Sequence, residues 1–521
     1  MKLVSSFLLS CSLAAVFALG AEIYVSKDKG SNKNLGTKDS PVKNIQKAID
    51  IAQEGDIVHI AIGRYFGTMD RGYLELKKSI TLLGGYSEDF SKRDVVKYPV
   101  LIQPTNAANA TSSSKPLLDI QTENLQGSNI IIDGLIFDKG ESNSYHEKDG
   151  KPEGVETGVL MIPPGKGMSS YQTASTPLIK GRANSDITIQ NCFFLNSPNY
   201  AILLGNRRGN IVIRNNVFVA NAYAAVEIFG TANKPHQTKL DISYNTILFN
   251  WSRTRDLGDL GHAIRAMTNM DYDINHNILG LSIASAVSNT RVDPNKEIDI
   301  NDNIFFLNKK MDMDLPSGGG LFMYVKAADF EDIETLKSAT GNREISDLQG
   351  LKEALNKPYL EGFLSATYKE TAAYDLNSPT NLFREAMGMN KRGSLTSKVS
   401  MYANKYPLED AFKLVGAVEG YGAQSMSDDE PAPDSQTSSA EQLKQVEISP
   451  VDINESMPAQ NSEAKISESV NKPAQEVREE ATQADIAEAA KPVQNESNET
   501  LNLPPHPTFE PANKETNSTG Q

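Results

Sequence analysis

Two cysteines among 521 residues are too few for a disulfide framework. Cys11 falls inside an N-terminal leader, which leaves Cys192 as the sole thiol of the mature chain and excludes an intramolecular disulfide. A basic surplus is also lacking: 51 Lys and Arg stand against 66 Asp and Glu, a formal net charge of -15. This excludes the positively charged footprint of a nucleic-acid binder. Among the six histidines, His59, His146, His236 and His276 show no zinc-ligand spacing. No phosphate-cradling loop or dinucleotide fingerprint is found. Past the leader, no apolar run approaches the ~20 residues of a spanning helix, so no membrane span is expected.

What is present begins with export. Lys2, the apolar run Leu3–Leu19 and the small residues Ala18, Gly20 and Ala21 have the form of a secretory signal peptide, residues 1–20. Ser5, Ser6, Ser10 and Ser12 interrupt the run, which argues against a membrane anchor. At the other end, residues 424–521 turn to Glu, Ser, Ala, Pro, Gln and Asn, with Phe509 their only aromatic, and carry 13 of the 15 net negative charges. Such a stretch buries too little apolar surface to offset its chain entropy, and is expected to be a disordered acidic tail. The folded part is therefore near neutral.

Self-comparison of that folded part shows a repeat. Ile189-Gln190-Asn191-Cys192-Phe193-Phe194, Ile213-Arg214-Asn215-Asn216-Val217-Phe218, Ile242-Ser243-Tyr244-Asn245-Thr246-Ile247, Ile274-Asn275-His276-Asn277-Ile278-Leu279 and Ile300-Asn301-Asp302-Asn303-Ile304-Phe305 align, and Ile132-Asp133-Gly134-Leu135-Ile136-Phe137 precedes them. From Cys192 on, the fourth positions are 24, 29, 32 and 26 residues apart. Apolar residues alternate on both sides of a polar pair, which reads as strand, corner, strand. A further short strand follows each: Ala201–Leu204, Ala225–Ile228, Ala263–Ala266, Ala286–Asn289 and Gly320–Met323. Three strands per turn, repeated in one direction, bury their inner faces only by stacking. The fold class is thus all-β, a right-handed parallel β-helix with three strands per coil, over residues 21–332.

Asparagine tolerates the left-handed backbone of a sharp corner, and its amide can bond the copies above and below. Asn216, Asn245, Asn277 and Asn303 are expected to form a ladder, with Cys192 as a small buried member of it. Ser40-Pro41 and the one-sided pattern Val42, Ile45, Ala48, Ile49 and Ala52 predict an N-terminal capping helix running to Gln53. Residues 333–423 turn helical, notably Leu348–Asn356 and Leu408–Ala417, and predict a C-terminal helical cap that protects the last coil's edge.

Tyr24-Val25-Ser26, Gly36-Thr37-Lys38-Asp39-Ser40-Pro41, Ile45-Gln46-Lys47-Ala48-Ile49, Gly55-Asp56 and Gly63-Arg64-Tyr65, followed by the Asn-cornered repeats, resemble secreted bacterial members of the pectin-lyase-like β-helix superfamily. The resemblance covers about Glu22 to Lys326. It implies a sugar-binding groove on the outer face of the strand following the Asn corner. That superfamily holds lyases, hydrolases, epimerases and surface proteins of unknown role, so the fold alone does not choose among them.

Aligning those strands turns Leu203, Glu227, Arg265, Ser288 and Phe322 outward, ~4.8 Å apart from coil to coil. The loop before Arg265 contains Trp251, Arg253, Arg255, Asp256, Asp259 and His262. An elimination on a uronate glycan needs charge neutralisation and a base. The candidate catalytic residues are Arg265, His262 and Glu227; Trp251, Arg253 and Arg255 are candidate substrate-binding residues. Glu227, Asp256 and Asp259 offer oxygen ligands for Ca2+. An ion pair on a solvated sheet face is the plainer account of Glu227 and Arg265. Gly261-His262-Ala263 lacks the further Gly expected of a hydrolase of this fold, and no paired-Asp motif lies upstream. The expectation is an exported, monomeric protein, extracellular, on the cell surface or in the periplasm, whose partner is a polysaccharide that it binds or processes. The alternative is a non-catalytic interaction or scaffold protein.

Overall fold

The computed structural model describes residues 20–68, 72–104, 115–125, 129–139, 176–197, 199–231, 238–251, 261–267, 270–289, 297–318, 321–344, 349–367, 375–392 and 405–428. Residues 1–19 of the expected signal peptide and residues 429–521 of the expected tail lie outside them.

Three nine-stranded sheets carry the chain, with neighbouring strands drawn from successive repeats, so the architecture is a parallel β-helix. The registers superpose equivalent residues. In the first sheet Ile132, Ile189, Ile213, Ile242, Ile274 and Ile300 form one vertical column, all fully buried. At ~1.5–3 kcal/mol for each fully buried side chain, such columns drive the stacking. Phe137, Phe194 and Phe218 line the third sheet's inner face, their rings stacked at 5.4 and 4.6 Å.

The asparagine ladder is present. Asn216, Asn245 and Asn277 each donate a backbone N–H to the Oδ1 of the next asparagine, at 3.0, 2.8 and 3.0 Å. Cys192 donates its N–H to Asn216 Oδ1 below the column, and Asn303 donates to Asn342 above it. The left-handed conformation, however, belongs to the preceding residue: Asn191, Asn215, Tyr244, His276 and Asp302 have φ of 53–55°. The ladder asparagines point inward and are fully buried, so their amides serve the backbone while their neighbours make the turn. A second ladder follows five residues later, where Ser197 donates its N–H to Asn221 Oδ1, Asn250 Nδ2 donates to Ser282 Oγ, and Ser282 donates its N–H to Asn308 Oδ1.

The N-terminal helix is shorter than predicted, Ile45–Ile51, because Val42 is held in extended pairing with Val25. Its Ile45, Ala48 and Ile49 join the interior cluster beside Ile23 and Leu74, members of the first strands of two sheets. At the far end, the 3-10 turn Ala327–Asp332 sends Ala327 and Phe330 into that interior, with Phe330 edge-on to Phe305 at 5.4 Å.

The helices expected over that end lie elsewhere. Gln349–Ala354, Lys357–Thr367, Pro379–Ala386 and Leu408–Phe412 bury Leu351, Leu360, Phe363, Phe383 and Ala411, together with Tyr406 just before the last helix, in one cluster with Phe193, Leu195, Val219, Phe249, Ile278 and Phe306 on the outer face of the third sheet. The third sheet's strands are apolar on both faces, so that flank needed a cover. Asn196 clamps Tyr406 from both sides, donating Nδ2 to its carbonyl at 3.1 Å and accepting its N–H at 2.7 Å.

Residues 422–428 then run back across the corners. Gly422 N–H bonds the His276 carbonyl, Ala423 N–H bonds Thr246 Oγ1, Gln424 N–H bonds Asn215 Oδ1, Val95 N–H bonds the Met426 carbonyl, and Arg93 pairs with Asp428 at 3.0 Å. The first five residues of the expected disordered tail are thus packed. Met426 is 4% exposed and supplies apolar burial where the composition suggested none.

Candidate active site on the outer face of the second sheet

The second sheet's outer face stands between two corners, and its parallel registers place one residue per coil in a column. Glu75, Asp119, Lys180, Leu203, Glu227, Arg265, Ser288 and Asp314 follow one another. The expected vertical neighbours Glu227 and Arg265 are paired: Arg265 Nη1 lies 2.7 Å from Glu227 Oε2, with side chains 14% and 5% exposed. Asp314 takes the rung expected of Phe322. After Gly318 the chain reverses, and Leu321–Val325 pairs antiparallel with Met311–Gly318, so Phe322 is in register with Pro316 rather than extending the column.

Burial raises the Glu227 carboxyl above its ordinary value, and the Arg265 charge and the Tyr200 hydroxyl pull it back down. Tyr200 precedes the strand one coil below, and its ring meets that of Tyr223 edge-on at 5.4 Å. Two coils above Arg265, Asp314 is also raised by burial, opposed by hydrogen bonds from Ser285 and Ser288 and by the Arg265 charge. Among the described residues, Asp314 Oδ1 and Arg265 Nε are buried without a hydrogen-bond partner. His262 is buried, with Nδ1 3.2 Å from Ser285 Oγ. One patch therefore gathers Tyr200, Tyr223, Glu227, His262, Arg265, Ser285, Ser288 and Asp314.

Trp251 is not part of it. Its indole is fully buried in the apolar cluster of the third sheet, where it cannot meet a substrate. Arg253, Arg255, Asp256 and Asp259 lie outside the described residues. The Ca2+ set is therefore represented by Glu227 alone, and no group of three or more metal-ligating side chains occurs among the described residues. Glu227 is moreover committed to Arg265.

Sequence reasoning missed Tyr200, Tyr223, Ser285 and Asp314. Tyr200 and Tyr223 were visible as aromatics immediately before the strands Ala201–Leu204 and Ala224–Phe229, at a corner rather than in the alternating pattern. Asp312 and Asp314 alternate with Met311, Met313 and Leu315 within the strand Met311–Gly318, a period-two signal readable in the sequence.

Neither a protein-family model nor a curated protein matches the chain. Among solved structures it is similar to a rhamnogalacturonan lyase. That match has a TM-score of 0.26 and 10% sequence identity, and covers 56% of this chain and 70% of the other.

Chemically, the patch offers a guanidinium edge, two carboxyl groups, an imidazole, two serine hydroxyls and two tyrosine side chains on a rigid wall. That set can hydrogen-bond and stack against a polyhydroxy chain.

Proposed function

We propose that this is an exported polysaccharide-binding β-helix protein that engages its glycan along the outer face of the second sheet. The observation that carries the reading is the in-register column through Glu227, Arg265 and Asp314, flanked by Tyr200 and Tyr223. The third sheet's outer face is occupied by the chain's own helices, whereas this wall presents polar chemistry on successive strands at the ~4.8 Å spacing of a sheet. Processing of the glycan by lyase-type elimination is the finer form of the proposal, with Arg265 stabilising the developing charge and His262 taking the proton.

The non-catalytic reading is favoured by one observation: Glu227 already neutralises Arg265. An arginine so paired is a poorer electrophile for a uronate carboxylate and a poorer proton acceptor. On that reading the wall holds glycan without turnover.

Incubation with uronate and neutral glycans, with and without Ca2+, separates these readings. Unsaturated ends abolished by Arg265→Ala support elimination. Retention without new ends supports binding alone. Absence of both retention and products across the panel removes the polysaccharide assignment.

A further inference from the structure

The balance of charge at the patch goes further than the general reading of a glycan-binding wall, on which it rests. Among the described residues, Arg265 is flanked by two carboxylates in its own column, Glu227 one strand below and Asp314 two strands above. Both carboxylates are at least nine-tenths buried, at 4% and 5% exposure. Glu227 holds Nη1 of the guanidinium, and Asp314 feels the same positive charge across the intervening Ser288. The three column groups sum to one negative charge, and Lys310 adds a positive charge that also acts on Asp314. A uronate carboxylate arriving here meets a cation already paired with one carboxyl group and flanked by a second, with little water between them.

The unpaired atoms ask for a different ligand. Among the described residues, Arg265 Nε is a buried donor without an acceptor, and Asp314 Oδ1 is a buried acceptor without a donor. Left so, each pays a desolvation penalty that a partner removes. A sugar hydroxyl is donor and acceptor at once, so neighbouring hydroxyls of one pyranose can accept from Nε and donate to Oδ1. Tyr200 and Tyr223, partly exposed one coil apart, add an aromatic surface for the ring's C–H face, with the Tyr200 hydroxyl on Glu227.

We infer that the Glu227–Arg265–Asp314 column with Tyr200 and Tyr223 is a subsite for an uncharged polysaccharide, and that its paired charges select against uronate glycans. Glu227 acts here as a specificity residue: by occupying Arg265 it denies that cation to an acidic sugar.

The test is calorimetric titration of the full chain with neutral oligosaccharides (glucan, galactan and mannan series) and with oligogalacturonate, beside Glu227→Gln, Asp314→Asn and Tyr223→Ala. Circular dichroism and melting curves establish that each variant is folded. The expected result is saturable binding of a neutral series by the wild-type chain, at least 10-fold tighter than oligogalacturonate and weakened about 5-fold or more by Tyr223→Ala. Glu227→Gln is expected to raise oligogalacturonate affinity at least 10-fold by releasing Arg265. Asp314→Asn is expected to raise it by a smaller factor, and it carries the test if Glu227→Gln does not fold. Wild-type binding of oligogalacturonate as tight as that of any neutral series, lost in Arg265→Ala, overturns this inference while leaving the glycan-binding reading intact. Failure of both ligand classes to bind overturns both.

Discussion

The outer faces of the second and third sheets are built from the same coils and differ in what they present. On the third sheet, Phe193, Leu195, Val217, Val219, Leu248, Ile278, Ile304 and Phe306 project outward and are sealed under the C-terminal helices. On the second, the matching flank carries Lys180, Leu203, Glu227, Arg265, Ser288 and Asp314. The contrast teaches that inner-face columns are enough to stack the coils, and that the outer faces are then free to specialise. One becomes an internal interface, and the other holds polar groups that a packed interface would leave unsatisfied.

The covered flank offers the largest break in this contrast. Tyr406→Ala removes a fully buried ring lying 4.9 Å from Tyr359 and 5.6 Å from Phe249. It is expected to cost about 3–5 kcal/mol in denaturant unfolding, the range for a large core truncation. A loss below ~1 kcal/mol would mean that the helices contribute little to holding the third sheet.

On the polar flank, Glu227→Ala strands a mostly buried guanidinium and is expected to cost about 2–4 kcal/mol, much of it restored in the Glu227→Ala, Arg265→Ala double variant. Additive losses in that double-mutant cycle would show that the two side chains act independently despite their 2.7 Å contact.

A smaller effect distinguishes the faces by pH. Burial raises the folded Asp314 carboxyl above its ordinary value of 3.8, so the folded state binds its proton more tightly than the unfolded chain. That contribution to stability is fully present below pH 3.8 and is lost as pH rises through the folded value. Asp314→Asn, which stays uncharged, is expected to gain stability relative to wild type as the pH rises from acidic to neutral. A parallel pH dependence of wild type and variant melting would contradict this. Smallest of all, exposed Lys180→Ala should leave stability within about 0.5 kcal/mol, as for a surface change in the same column.

Much of the coil was legible in the sequence because its signals are periodic. The isoleucine before each corner and the asparagine within it recur at each coil, and the Glu227–Arg265 register followed from counting along the strands. The second ladder was equally readable in Asn221, Asn250 and Asn308, each five residues after a first-ladder asparagine. Assigning the left-handed turn to Asn245 rather than Tyr244 was an error of one residue. It arose because asparagine favours that conformation in general, while here its amide is needed inward. The lateral packing of the C-terminal helices was hinted at by uninterrupted apolar triplets such as Phe193-Phe194-Leu195 and Val217-Phe218-Val219, which imply burial on both faces. What periodicity does not encode is the partner of a side chain that leaves the repeat. Trp251 looked like a loop aromatic and is a core residue; the rung expected of Phe322 is filled by Asp314.

The return path of residues 422–428 alters how such a molecule comes apart. A stack of repeats whose units touch only their neighbours can unzip from either open end, one turn at a time. Here a single stretch of backbone is fastened at His276, Thr246, Asn215, Val95 and Arg93 in succession, like a seam sewn across the turns. Peeling one turn loosens stitches on others, so partial fraying gives way to all-or-none release. The seam also closes last during synthesis, since its residues are translated after every turn they bind.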